Sequence, residues 1–195
     1  MDTTIDSDAL DRADMAKLQA GHDAALNDLM ERHATGVFHF LCRMTGNEDD
    51  ANDLAQETFV RVFKSCKSYR TGEKFSTWLF TIAANLARNH FRWRSRHPNV
   101  SMDATDPETD QSLGSTLPAN SPAPNEAALA EERTAAVRQA VQKLPEDLRE
   151  AIVLCEWEER SVAEAAAIVE ATPKAVESRL YRARQVLRER LKNWL

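Results

Sequence analysis

Ser161-Val162-Ala163-Glu164-Ala165-Ala166-Ala167-Ile168-Val169-Glu170-Ala171-Thr172-Pro173-Lys174-Ala175-Val176-Glu177-Ser178-Arg179-Leu180 carries its own punctuation. Ser161 and Glu164 make a capping box, in which hydroxyl and carboxylate reciprocally satisfy the orphan amides of a helix start. The helix it opens is short and ends near Val169. Thr172 caps a second helix, with Pro173 in its first turn, where the missing N–H has no helical partner to lose. That helix is predicted to run to about Leu191. A short helix, a turn of about four residues and a basic second helix form a helix-turn-helix pattern. At about 100° per residue, Val176, Leu180, Ala183 and Leu187 fall together and are expected to face a core. The opposite side collects Lys174, Glu177, Ser178, Tyr181, Arg182 and Gln185, groups that hydrogen-bond base edges or phosphates.

Toward the N-terminus, a helix is predicted from about Glu126 to Lys143. Leu144-Pro145 begins the next, with Pro145 at its first position and acids beside it, and this helix carries Leu148, Ile152, Val153 and Cys155. Pro98 to Pro124 reads differently. It holds five of the seven prolines, is rich in Ser, Thr, Asp and Asn, and lacks apolar periodicity. Such a stretch buries too little apolar surface to offset its ordering entropy. The expected organisation is therefore a module over 1–97, a linker over 98–128 and a module over 129–195.

The first module reads as helices throughout. Leu26, Leu29, Met30, His33, Val37 and Leu41 recur at spacings of three and four, the mark of an amphipathic helix. Thr45-Gly46-Asn47 breaks it. A second helix carries Ala51, Leu54, Ala55, Thr58, Phe59, Val62 and Phe63. A loop over Tyr69 to Glu73 precedes a third helix, Phe75 to about Arg94, and a weaker acidic helix is predicted around Asp8 to Leu18. The fold class is all-α, in two small helical domains.

The chain has 195 residues, 43% hydrophobic and 29% charged, within the soluble globular range. Only five glycines argue against a barrel or sandwich of tight turns. No apolar run approaches the roughly 20 residues that span a bilayer, and the acidic Met1-Asp2-Thr3-Thr4-Ile5-Asp6 lacks the features of a secretory signal. A cytoplasmic protein is expected. Cys42, Cys66 and Cys155 are odd in number and far apart, so they read as small core hydrophobes rather than a disulfide or zinc framework. His33 and His39 are six apart and share no ligand face. With no metal site, no cofactor and no Ser/His/Asp or Gly-rich phosphate constellation, the chain does not read as an enzyme.

The formal net charge of −6 hides segregation. Residues 98–128 hold five acids and no base, while Lys74, Arg88, Arg92, Arg94 and Arg96 lie in an acid-free stretch between Glu73 and Asp103. From Lys174 to Lys192, seven bases including Arg179 face only Glu177 and Glu189. Two basic tracts on an acidic chain point to two contacts with a phosphate backbone. On the third helix Phe75, Leu79, Ile82 and Leu86 make the buried stripe, and Asn85, Arg88, Asn89 and Arg92 form a ridge beside it, with Trp78 near it and Phe91 and Trp93 further on. Amides and guanidiniums interleaved with aromatics suit unstacked bases. Trp78 and Trp93 fit core packing equally well when each is taken alone.

Asp53-Leu54-Ala55-Gln56-Glu57-Thr58-Phe59-Val60-Arg61-Val62-Phe63, Phe75-Ser76-Thr77-Trp78-Leu79 and Ile82-Ala83-Ala84-Asn85 resemble regions 2.2 to 2.4 of bacterial sigma factors. Leu144-Pro145-Glu146-Asp147-Leu148-Arg149 and Ser178-Arg179-Leu180-Tyr181-Arg182-Ala183-Arg184 resemble region 4. The lack of anything substantial between them resembles the extracytoplasmic-function, group 4, class of the sigma-70 family. The resemblance covers about residues 20–97 and 126–192.

It implies a subunit that binds core RNA polymerase, at the largest-subunit clamp helices and the flap, and directs promoter-specific initiation without ATP. Asp53, Gln56, Glu57 and Arg61 would contact the clamp helices, an acidic helix face being equally readable as solvated surface. Asn85, Arg88, Asn89 and Arg92 would read the −10 element, with a flipped base held near Tyr69 to Lys74 and Trp78 at the edge of melting. Lys174, Glu177, Ser178, Arg179 and Arg182 would meet the −35 duplex. Glu177 departs from the basic residue common there; a carboxylate repels phosphate yet accepts from cytosine N4, so an altered −35 preference is expected. Glu170 stands where relatives often carry Gly, and the turn is expected to differ slightly. The acidic joint would thread the polymerase cleft as an RNA mimic, or serve only as a tether. An anti-sigma factor completes the implied partners, with stress as its release signal. A helix-turn-helix activator with a helical regulatory domain is the alternative, and a helical scaffold or anti-sigma-like adaptor a third.

Overall fold

The computed structural model describes residues 7–97, 124–192 and 194. The joint over 98–123, with its predicted threading role, lies outside them. Among the described residues the chain is helical and contains no strand. The first module comprises α1 (Ser7–Gln19), α2 (Ala25–Thr45), α3 (Glu48–Ser65), a 3₁₀ turn (Cys66–Ser68) and α4 (Phe75–Arg96). The second comprises α5 (Pro124–Gln142), α6 (Glu146–Ile152), a π turn (Val153–Trp157), α7 (Val162–Ile168) and α8 (Pro173–Arg190).

Local chemistry sets the breaks. Gly46 ends α2 with φ at 75° and returns its N–H to the Cys42 carbonyl, a left-handed conformation that glycine adopts without a Cβ penalty. Asn47 then caps α3 by accepting from the Asp50 amide. The capping box of Ser161 and Glu164 is present, and the Thr172 hydroxyl accepts from Ala175. Pro145 is the N-cap of α6 rather than its first helical residue, with ψ at 145°. Helix α5 begins at Pro124, inside the stretch assigned to the linker, because proline is tolerated in a first turn.

The two modules meet. Their apolar faces form one continuous core, running from Met15 and Leu29 through Phe40, Phe80 and Leu144 to Ile168 and Ala183. Helix α2 packs on α5 and the π turn, and α4 packs on α7. Each module alone is near the lower size for an independent core, so joining them lets both bury more.

Polar groups stitch the same seam. Arg149, 8% exposed, donates from Nη1 to the Met44 carbonyl at 2.5 Å and from Nη2 to the Leu144 carbonyl at 3.0 Å and the Gln142 carbonyl. Gln142 donates to the Arg43 carbonyl at 2.7 Å. The last carbonyls of α2, which have no helical partner, are thus satisfied by the other module. Arg160 donates to Ser76 Oγ at 2.9 Å and lies 4.5 Å from the Phe80 ring centroid.

Candidate functional site

The proposed −10 ridge lies along α4, and the seam divides it. Arg88 donates to both carboxylate oxygens of Glu150, at 3.1 and 3.2 Å, and to Asn85 Oδ1 at 2.6 Å. Glu150 is 4% exposed, and burial pushes its carboxyl above the usual range, against the pull of Arg88 and Arg179. Asn85 and Arg88 are therefore half-buried and engaged, whereas Asn89 and Arg92 are exposed. Trp78 is half-buried, with its ring 5.3 Å from Tyr69 and 6.2 Å from Phe75. Tyr69 donates its hydroxyl to the Glu73 carbonyl at 2.6 Å, which orders the loop expected to hold a flipped base.

The seam's other ion pairs repeat one polarity. Arg43 meets Glu158 at 3.2 Å and Lys74 meets Glu164 at 2.9 Å. In each, as in Arg88–Glu150, the base belongs to the first module and the acid to the second. Hydrogen bonds from Lys74 and Ser161 hold the Glu164 carboxyl down at about 2, and Glu164 also serves the capping box.

The other two faces lie open. On α3, Asp53, Gln56 and Arg61 are exposed and Glu57, half-exposed, accepts from Arg61 Nε at 2.9 Å. Phe63 and Val60 on this helix each remain 41% exposed, so the helix carries exposed apolar as well as polar groups. On α8, Lys174, Glu177, Ser178 and Arg182 are exposed, while Arg179 is half-buried with Nε 3.7 Å from Asp147. Tyr181, 65% exposed, shares their side. Val176, Leu180 and Ala183 are buried and Leu187 is half-buried, as the periodicity predicts. Glu170 takes φ of 54°, the left-handed conformation that a glycine adopts without a Cβ penalty.

Sequence reasoning missed Glu150, Arg149 and the acids that face the first module. Their spacing looks like that of any charged helix surface; only the meeting of modules marks them. A groove of about 420 Å³ also opens between α2 and α5, walled by Phe38, Cys42, Val137 and Trp157. Burial raises the Cys42 thiol to about 11, and also raises that of Cys155, so neither has thiolate character at neutral pH. Cys66 is buried. Among the described residues no group of three or more His, Cys, Asp or Glu is placed to hold a metal ion, and no helix is long and apolar enough to cross a membrane.

Residues 29–97 match the family model described as Sigma-70 region 2, and residues 134–187 match that of Sigma-70, region 4. The chain is 32% identical over 171 residues to the RNA polymerase sigma-H factor of Pseudomonas aeruginosa, covering 88% of each. It is 31% identical over 178 residues to the ECF RNA polymerase sigma factor SigW of Bacillus subtilis, covering 91% of this chain and 94% of the relative. Among solved structures, CnrH in complex with the cytosolic domain of CnrY superimposes with a TM-score of 0.69 at 27% identity, over 94% of this chain and 98% of that one. The sigma factor RpoE bound to the anti-sigma factor NepR, from Bartonella quintana, gives 0.65 at 26% identity, over 85% and 96%.

Proposed function

This chain belongs to the sigma-70 family as an extracytoplasmic-function sigma factor, and we propose that it binds core RNA polymerase and directs promoter-specific transcription initiation. One observation carries the reading: the same chain presents an Asn/Arg ridge on α4 and a separate exposed reading face on α8. The −10 strand, unpaired during melting, would be held by Asn85, Arg88, Asn89 and Arg92, with Trp78 closing the end of the melted stretch. Residues Lys174, Glu177, Ser178, Arg179 and Arg182 would enter the −35 major groove, where the N-terminus of α8 adds its partial positive charge. Asp53, Gln56, Glu57 and Arg61 would contact the polymerase clamp helices. The proposed domain limits 1–97, 98–128 and 129–195 follow the same division of labour, with α5 reaching back from the second domain to Pro124.

In the closed arrangement Arg88 is held by Glu150, so full −10 reading requires the seam to part. Polymerase, by binding the modules at separate places, would shift the population toward the open form. An anti-sigma factor, as found with RpoE of Bartonella quintana, would favour the closed one. The test is transcription in vitro with purified core polymerase on a randomised promoter library. Selective initiation from a subset of promoters is expected. Failure of the chain to associate with core polymerase overturns the reading.

A further inference from the structure

Two parallel rows run along α4 at a spacing of four residues, each step rising about 6 Å. One is Arg88, Arg92 and Arg96. The other is Asn85, Asn89 and Trp93, followed by His97 at the helix C-cap. The proposed reading ridge uses only the first half of this pattern. Beyond it, Trp93 remains 46% exposed and stacks on His97, with ring centroids 4.9 Å apart and planes 23° from parallel.

The stack is built rather than incidental. The His97 backbone N–H bonds the Trp93 and Arg94 carbonyls at 3.1 and 3.2 Å, and its Nδ1 lies 2.9 Å from the Trp93 carbonyl. One imidazole is therefore fixed against one face of the indole at the end of the helix. Core packing gives no reason for this placement, because a tryptophan used for packing surrenders its surface. Trp78, half-buried against Tyr69 and Phe75, is the indole that packs. Arg92 and Arg96, next to the stack along the chain, are exposed; Arg96 Nε donates to the Arg92 carbonyl at 3.0 Å, and among the described residues neither is placed in an ion pair. The glutamate seam stops short of it, so this end of α4 stays open even while Arg88 is occupied.

We propose that the Trp93–His97 stack is a second nucleobase platform, which takes an unpaired base of single-stranded DNA next to those bound by Asn85 and Asn89, with Arg92 and Arg96 on the adjoining phosphates. A planar base adds a layer to a stack already assembled, so little ordering remains to oppose binding. Any base has the required face; the platform therefore favours single strand over duplex and not one sequence over another. The inference deepens the proposed function and rests on it for its place in promoter opening.

The test uses the full chain, alone and with core polymerase. The probe is a single-stranded oligonucleotide containing 2-aminopurine, compared with the same sequence as duplex and as a forked template. Trp93→Ala is expected to weaken single-strand binding roughly ten-fold, the scale of one lost base stack, and to abolish the 2-aminopurine quenching. Duplex binding is expected to be unchanged, Trp93→Phe to retain most of the quenching, and His97→Ala to lose part of it. Equal single-strand binding by wild type and Trp93→Ala overturns the platform, and so does an equal loss on single strand and duplex. If holoenzyme initiates normally with Trp93→Ala and forked-template binding is unaltered, the platform falls while the sigma reading stands. If the chain ignores polymerase yet Trp93→Ala still costs single-strand binding, the sigma reading falls while the platform stands.

Discussion

Arg88 and Glu150 hold each other across the boundary between the modules, the guanidinium Nη1 lying 3.1 and 3.2 Å from the two carboxylate oxygens. A residue of the proposed −10 ridge is thus satisfied by an acid of its own chain. Glu150 accepts where a phosphate or base oxygen would, so the two engagements exclude each other.

Removing the acid leaves a partly buried guanidinium uncompensated. Glu150→Ala is expected to destabilise the free chain by about 2 kcal/mol, below the usual figure for breaking a buried pair because Arg88 keeps some water access. Burial raises this carboxyl, so its favourable contribution is complete below its ordinary value near 4.5 and is lost as pH rises through the raised one. Gln is the isostere of the protonated acid. The stability gap between wild type and Glu150→Gln should therefore narrow as pH falls toward 4.5, read by urea titration at each pH.

Arg149 is fixed by shape more than by charge. Its fork reaches the Met44, Gln142 and Leu144 carbonyls together, which an ammonium on a single stem cannot do. Arg149→Lys should cost about 2–3 kcal/mol by leaving buried acceptors unmet. Denaturant midpoints check this; a loss under about 0.5 kcal/mol, the range of ordinary surface substitutions, would refute it.

Acid should loosen the α7 end of the seam. Glu164 is held at about 2 by Lys74 and Ser161, so its contribution is present above the unfolded value near 4.5 and is lost as pH falls from there toward 2. Lys74 is more than half exposed, and solvent screening limits its share; the cap itself is worth about 1 kcal/mol. Glu164→Gln should flatten the acid limb of the stability curve, measured by thermal melts between pH 2 and 5.

Binding and reading should separate by mutation. Asn89→Ala and Arg92→Ala are expected to reduce promoter-dependent transcription roughly ten-fold or more, the worth of a base or phosphate contact, with polymerase affinity unchanged. Asp53→Lys and Arg61→Glu should weaken polymerase affinity while leaving promoter use per holoenzyme formed unchanged. Paired measurements of holoenzyme formation and of promoter use at equal holoenzyme concentration decide it, and loss of both quantities by either pair would sink the division.

Glu177→Arg should change which −35 sequences are used. Glu177 is exposed on the proposed −35 face of α8, where a carboxylate would accept from cytosine N4 and an arginine would favour guanine. Selection from a randomised −35 library reads the outcome, and an unchanged preference would refute it.

The helices were legible because their signals are local. Asn47, Ser161 and Thr172 cap where their hydroxyls or amide allow, and the stripes of Val176, Leu180 and Ala183 or of Phe75 and Leu79 follow helical period. The π turn at Val153–Trp157 was not legible, since no residue type marks a widened turn. Nor was the seam. Glu150, Glu158 and Glu164 look like solvated surface until Arg88, Arg43 and Lys74 approach from residues far away in sequence. From the sequence Trp93 fits packing and exposure equally, because periodicity places a side chain on a face without saying what lies opposite.

The shared interior has a kinetic corollary. Pulling the halves apart would wet the aliphatic contact between α2 and α5 and between α4 and α7, and water resists that in proportion to the area uncovered. A solitary, spread-out form should therefore be scarce and adhesive. Traffic between one binding companion and the next is best managed by handover, each newcomer sheltering an oily surface as the last one leaves it.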